Sequence, residues 1–142
     1  MCLSDRNSMR RFSVFLLVLM LLGACARSLS PEEQAAQAAK YYYDQLLAGH
    51  DDVFLRGHAG KDSISGEYRE QLLIAYRQFV AQQQASHGGI SSVQIGRSAM
   101  MDAGFDSTQQ YVQVFLNLNY ADSTQEEIVV AMVERAGEWK MK

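Results

Sequence analysis

From residue 31 to residue 86 the apolar positions recur with the period of a helix, and from residue 92 onward they alternate with the period of a strand. Ala35, Ala39, Tyr42 and Leu46 fall on one stripe with Tyr43 beside it, which predicts a helix from residue 31 to about Leu47, stopped at Gly49. Ser30-Pro31-Glu32-Glu33 is a helix start. Ser30 caps, Pro31 suits the first turn, and Glu33 completes a capping box. Asp51 or Asp52 is placed to cap one further turn through Phe54 and Leu55, ended by Gly57. The glycines and serines of residues 57–66 read as a loop. A second long helix follows over about 67–86, with Tyr68, Leu72, Ala75, Tyr76, Phe79 and Gln83 as its stripe and Gly88-Gly89 as its end.

In the second half Val93, Ile95, Arg97 and Ala99 alternate with Ser92, Gln94, Gly96 and Ser98. The clearest strand is Tyr111 to Tyr120. Val112, Val114, Leu116, Leu118 and Tyr120 share one face, and Gln113, Phe115, Asn117 and Asn119 the other. Ile128 to Val133 is apolar on both faces, and Ala136-Gly137 turns the chain into a short last strand, Trp139 to Met141. Short turns between successive strands imply an antiparallel meander. Helices first and strands after imply an α+β domain over residues 31–142, its N-terminal helices packed on one face of a curled antiparallel sheet of about four strands. Which sheet face meets the helices is left open. In one register Phe115, Val129, Ala131 and Val133 form an apolar interaction face away from the helices, suited to a protein partner or a second copy of the chain. In the other register they face the helices.

The start of the chain obeys neither period. Arg6, Arg10 and Arg11 precede Phe12 to Leu22, a run broken only by Ser13, and Gly23, Ala24 and Cys25 follow. A membrane-spanning helix needs roughly 20 apolar residues, and these eleven positions have instead the length of a signal-peptide core. Leu22-Gly23-Ala24-Cys25 closely resembles the bacterial lipobox. That resemblance implies a lipoprotein signal peptide over 1–24, lipid attached to Cys25, and a tether over 25–30. Five extended residues, Ala26 to Ser30, reach at most about 18 Å, so the domain would stay close to the membrane. Cys2 would leave with the signal, so Cys25 would be the one remaining thiol, and no internal disulfide could form. Two or more acyl chains anchor stably. The expected location is the cell envelope. Ala26 after the cysteine resembles the pattern for passage to the outer membrane in a host with two membranes.

Charge narrows the partners. Loss of residues 1–24 would remove three Arg and one Asp. The chain's 13 basic and 16 acidic residues would become ten and fifteen, a formal charge of −5. No basic stripe remains, so nucleic acid is not an expected partner. The expected membrane contact is the lipid on Cys25.

Three segments carry a wider resemblance: Tyr68-Arg69-Glu70-Gln71-Leu72, His87-Gly88-Gly89-Ile90 and Gly137-Glu138-Trp139-Lys140-Met141-Lys142. Over most of residues 32–142 the chain resembles small bacterial lipoproteins with a domain of uncharacterised function. That domain is related to the cystatin-like, nuclear-transport-factor-2-like fold and is often described as similar to a lumazine-binding domain. The resemblance implies the fold and export, and brings no catalytic residues. Enzymes of that superfamily typically place an Asp, His or Tyr on the inner sheet face, within a cone closed by the helices.

The residues themselves offer little catalytic chemistry. General acid–base catalysis needs a titratable group held in a pocket, and neither face of the Tyr111–Tyr120 strand carries Asp, Glu or His. Arg97 is a charged residue in the interior of a predicted strand, where it either binds an anion or lies at the sheet rim. His50, Asp51, Asp52 and His58 are the one candidate metal cluster, better read as a helix stop followed by an Asp cap. No metal and no cofactor is expected. His87 reads as a helix-end residue whose partial positive charge suits the dipole. Gly57-His58-Ala59-Gly60-Lys61-Asp62 lacks the leading strand and the full spacing of a phosphate loop. Of Tyr41, Tyr42 and Tyr43, the last two point to the core and the first to solvent. Two functions follow. One is a non-enzymatic binding or interaction domain tethered to a membrane. The other is a small-molecule carrier or enzyme with a pocket between helices and sheet, lined by Tyr42, Tyr76, Phe79 and Arg97.

Overall fold

The computed structural model describes residues 27–102 and 109–142. Cys25, the signal peptide over 1–24 and the start of the tether lie outside the described residues. The chain is α+β: the described residues form three α-helices, then four strands in an antiparallel meander with the order β1-β2-β3-β4.

Helix α1 spans Pro31–Leu47. Its capping box is made in both directions: Ser30 N–H donates to Glu33 Oε2 at 2.8 Å, and Glu33 N–H donates to Ser30 Oγ at 3.2 Å. Ala35, Ala36 and Ala39 are buried, so the helix lies on the sheet through side chains of minimal size, with Leu46 buried further along. It packs against all four strands. Helix α2, Asp51–Arg56, inserts Phe54 and Leu55 into the core. Neither Asp51 nor Asp52 caps it, contrary to expectation. The N-cap is His50, which makes no side-chain capping bond, and both aspartates sit in the first turn. There they form ion pairs, Asp51 with Arg77 at 2.6 Å and Asp52 with Arg56 at 3.2 Å.

After a turn of 3-10 helix at Lys61–Ser63, α3 runs from Gly66 to His87. Ser65 Oγ accepts the Tyr68 N–H at its start. Gly88 at its end takes a left-handed φ of 74°, which turns its own N–H and that of Gly89 back to the carbonyls of Gln84 and Gln83. The helix is rotated from the face its periodicity predicted. Leu73 is its one buried residue, whereas Tyr68 and Ala75 are exposed. Leu73 and Val80, outside the predicted stripe, share the inward side with Tyr76 and Phe79.

Strands β1, β2, β3 and β4 are Ile90–Met101, Tyr111–Tyr120, Gln125–Arg135 and Glu138–Met141. In β2 the even-numbered residues Val112 to Tyr120 are buried and the odd-numbered ones are not. Ladder partners share a face. Leu116 pairs with Ile128, Val114 with Val130 and Val112 with Met132, so these build the face beneath the helices. Phe115 pairs with Val129 and Gln113 with Ala131, which puts those residues on the far side. The free edge of β4 is covered by the chain leaving α2: Met141 N–H donates to Gly57 O, and Ala59 N–H to Met141 O, both at 2.7 Å.

Gly57 owes its place to Tyr42. A Cβ at Gly57 would lie 2.6 Å from Tyr42 Cδ1, while the Tyr42 hydroxyl donates to the carbonyl of Trp139 at 3.0 Å. The ring is thus held across Gly57 and tied to β4. Overpacking typically costs about 1–3 kcal/mol, and Gly57→Ala should destabilise the protein by that amount in urea unfolding. In a Tyr42→Ala background the same change should have a markedly smaller effect, giving a double-mutant coupling above about 0.5 kcal/mol. Leu116→Ala, at a fully buried position (0% exposed) on the central pair of strands, should lower stability by about 2–5 kcal/mol.

Candidate functional site

The pocket expected from Tyr42, Tyr76, Phe79 and Arg97 is not assembled. Tyr42 lies at the β4 edge over Gly57. Tyr76 belongs to an aromatic cluster between α2 and α3, and Phe79 packs half-buried against the core. Arg97 is on the other side of the sheet. The reason is a β-bulge: the register of β1 against β2 shifts between Ile95 and Arg97. Val93 and Ile95 pair with Leu118 and Leu116 on the helix side. Past the bulge, Arg97 pairs with Phe115 and Ala99 with Gln113 on the outer side, while Ser98 and Met100 move to the inner one. An extra residue in one strand reverses which way each later side chain points. Gly96 fits there because a Cβ would come within 3.2 Å of the Phe115 carbonyl and of Asn117 Nδ2.

That reversal builds the outer face. The Arg97 guanidinium carbon sits 3.6 Å from the centroid of the Phe115 ring, a cation–π contact. Beside Phe115 is Val129, which is 54% exposed, and next along β3 on the same side is Ala131, half-buried. Val133 follows in the same alternation, but it is 3% exposed and offers no accessible surface. Gln113, Asn117 and Asn119 on β2 give the patch a polar surround.

Two histidine arrangements are products of the fold. His58 Nδ1 lies 3.2 Å from the Phe54 carbonyl, which can only accept, so Nδ1 carries the hydrogen and Nε2 the lone pair. Its ring meets Phe54 edge-on at 5.2 Å and lies parallel to Tyr76 at 6.2 Å. Tyr43 and Tyr76 close on Phe54 from α1 and α3 at 5.2 and 4.9 Å. Burial lowers the His58 pKa, with the Phe54 and Leu55 carbonyls partly opposing it, and burial raises the Tyr43 and Tyr76 phenols. The imidazole is therefore held neutral near pH 7, as one wall of an aromatic cluster.

His87, at the end of α3, faces Asp122 in the β2–β3 turn, with Nδ1 2.8 Å from Oδ2, and stacks on Tyr120 at 4.2 Å. Thr124 donates its hydroxyl and its N–H to Asp122 Oδ1. Hydrogen bonds from Thr124 and His87 hold the Asp122 carboxyl down at about 2. The Tyr120 hydroxyl donates to Glu126 Oε2 at 2.6 Å, and burial with that carboxylate pushes the phenol up to about 12. The backbone adds Ala121 N–H to Gly89 O and Asp122 N–H to His87 O. Such an Asp–His pair fixes an imidazole well. Here the neighbouring hydroxyls of Thr124 and Tyr120 point to carboxylates, so the group works as a fastening between α3 and the sheet.

Among the described residues no three His, Cys, Asp or Glu side chains converge as metal ligands. His50 bonds Gln45, and the aspartates beside it are paired as above. His87 with Asp122 and His58 with Tyr76 are far apart in sequence. The one local signal for the first was His87 at a helix end, and for the second there was none.

Asp122 gives a pH dependence with a definite sign. Its folded pKa lies below the ordinary range of an aspartate, so its stabilisation is present above about pH 4 and lost as pH falls toward 2. The difference in unfolding midpoint between wild type and Asp122→Asn should shrink as pH falls from about 4 toward 2. A difference that widens over that range would contradict this assignment.

No protein-family model matches the sequence, and no curated protein matches it. Among solved structures, one from Campylobacter jejuni that carries the name NTF2-like transpeptidase superposes with a TM-score of 0.57 at 11% sequence identity, covering 74% of this chain and 94% of that one. With the helices preceding a curled four-stranded antiparallel sheet, the chain has the nuclear-transport-factor-2-like fold.

Proposed function

We propose that this protein is an exported lipoprotein of the cell envelope, held to a membrane through lipid on Cys25, and that its domain binds another protein surface instead of catalysing a reaction. The observation that carries the binding reading is the outer sheet face. Phe115 and Val129 are ladder partners there, with Ala131 beside them and the Arg97 guanidinium over the phenyl ring. Aromatic and arginine side chains together are the residue types that anchor interfaces. The inner face supports the same reading from the other side. It is occupied by the alanines of α1, and every described buried core residue is apolar.

The anchoring reading rests on the sequence Leu22-Gly23-Ala24-Cys25 behind its apolar run. Among the described residues no helix is long and apolar enough to cross a membrane. The route to a membrane in this proposal is the lipid on Cys25. Passage to the outer membrane is the destination that Ala26 favours in a host with two membranes.

Self-association is the sharpest form of the binding reading. Phe115→Asp, and separately Ala131→Asp, should convert a self-associated species to monomer in native mass spectrometry with the melting curve retained. Wild-type protein that stays monomeric at high concentration would rule self-association out. For the anchor, Cys25→Ala should abolish incorporation of labelled palmitate and release the protein from the membrane fraction. Undiminished labelling would refute lipidation at Cys25.

A further inference from the structure

Helix α3 stands off from the helix beneath it. Of its 22 residues only Leu73 is buried. Along its C-terminal half an open trough of about 430 Å³ separates it from the end of α1. Small-molecule sites run from about 300 to 1,000 Å³. Tyr76, Val80 and Gln84 recur every fourth residue along one wall, with Arg77 and Ala81 one position on. From residue 76 to 84 this stripe is about 12 Å long. Leu46 and Leu47 of α1 form the opposite wall. A smaller recess of about 160 Å³ shares Leu47, Val80 and Gln84 and carries the groove on to Gly88 and Ile90.

The groove is thus elongated along the helix and aliphatic in its middle. Its charge is confined to the Asp51–Arg77 pair; Tyr76 and Gln84 add polar groups in the larger trough, and Gln83 and Ser91 in the smaller recess. The ion pair uses Arg77 Nε, 2.6 Å from Asp51 Oδ2. A guanidinium has four further N–H donors on its terminal nitrogens, and the Arg77 side chain is 59% exposed. Asp51 therefore positions the group while leaving the donors suited to a planar anion. The ends of the trough differ: at one is the Arg77 guanidinium paired to Asp51, and at the other the uncharged recess in which Val80 and Ile90 lie among Gln83, Gln84 and Ser91.

We infer that this trough binds a single-chain amphiphile with an anionic head, its aliphatic chain lying along Leu47, Val80 and Ala81 and its carboxylate or phosphate on Arg77. The site lies between two helices, on the side of the sheet away from Phe115, and does not depend on the outer-face reading. The head chemistry is common to free fatty acids and to lysophospholipids.

The test uses the full-length protein in its own membranes and two photoreactive probes. One is a medium-chain fatty acid with an alkyl diazirine in its tail, and the other is the matching uncharged alcohol. After irradiation, adducts are mapped by peptide mass spectrometry. The fatty acid should label residues 46–51 and 76–84, and Ala81→Trp, which fills the trough from an exposed position, should reduce that labelling about tenfold. A circular-dichroism melt of Ala81→Trp controls for folding. Should it melt early, Val80→Gln is the second blocking variant. Arg77→Gln should reduce labelling by the acid and leave that by the alcohol unchanged. A lysophospholipid competing better than the fatty acid would assign the head to a phosphate; the reverse would assign it to a carboxylate. Adducts elsewhere, no adducts, or labelling indifferent to the blocking variants would overturn the site. Equal labelling by acid and alcohol in the wild type would overturn the anionic head.

Discussion

The alanines at 35, 36 and 39 bring the backbone of α1 down onto the even-numbered face of β2, and the depth of that approach governs what the remaining elements can do. A helix carrying larger side chains there would sit farther out and leave a chamber over the sheet. With alanine the space is closed by main chain and methyl groups, packed against Val112, Val114, Leu116 and Leu118. The concavity that this fold provides is spent on core. The more bulky residues of α1, Tyr42, Tyr43 and Leu46, are displaced toward its flanks and its end, where they meet α2, β4 and α3.

Much of this was legible from the chain because the strongest signals are local or strictly periodic. The capping box is a four-residue statement, and Ser30 and Glu33 make both of its bonds. The alternation of β2 is uninterrupted over ten residues, and its two faces separate as read. It also decided the question that β3 left open. Ile128 to Val133 is apolar at both parities, so β3 alone carries no facing information. Pairing to β2 imposes it: Val130 and Met132 go inward, Val129 and Ala131 outward. The failures occur where a single residue changes the count or where the signal is weak. Gly96 reads as one polar position in an alternation, yet it hosts the bulge that carries Arg97 to the far side. On α3 the apolar residues spread over several faces. Leu73 could not be preferred to Leu72 or Tyr68 without knowing where α2 would place Phe54 and Leu55.

The histidines were illegible for a different reason. His58 is set by a backbone pairing to Met141, at the far end of the sequence, and by the rings of Phe54 and Tyr76 from two helices. His87 meets Asp122 across 35 positions of sequence because a helix end and a hairpin turn are brought to the same rim. Neither relation has a period or a spacing motif. Both result from the meander returning β2 to the start of β1, and β4 to the chain after α2. The same closure covers the β4 edge without adding a strand.

The trough beside α3 follows from how that helix is attached. Its C-terminal end is fastened by His87 to Asp122 and by the turn bonds around Gly88 and Gly89. Its middle is fastened by Leu73, by Tyr76 against Phe54, and by Arg77 to Asp51. Between these two fastenings the residues facing α1 include Ala81, and the opposing chain includes Gly49, neither large enough to close the gap. A helix curves only gently unless a proline, bulge or inserted group kinks it, so one pinned at two points does not fold sharply into the space between them. The opening is therefore bounded by the Arg77–Asp51 pair and Tyr76 at one end and by the bonds of the helix end beyond it. A ligand there would add contact without first having to displace packed side chains.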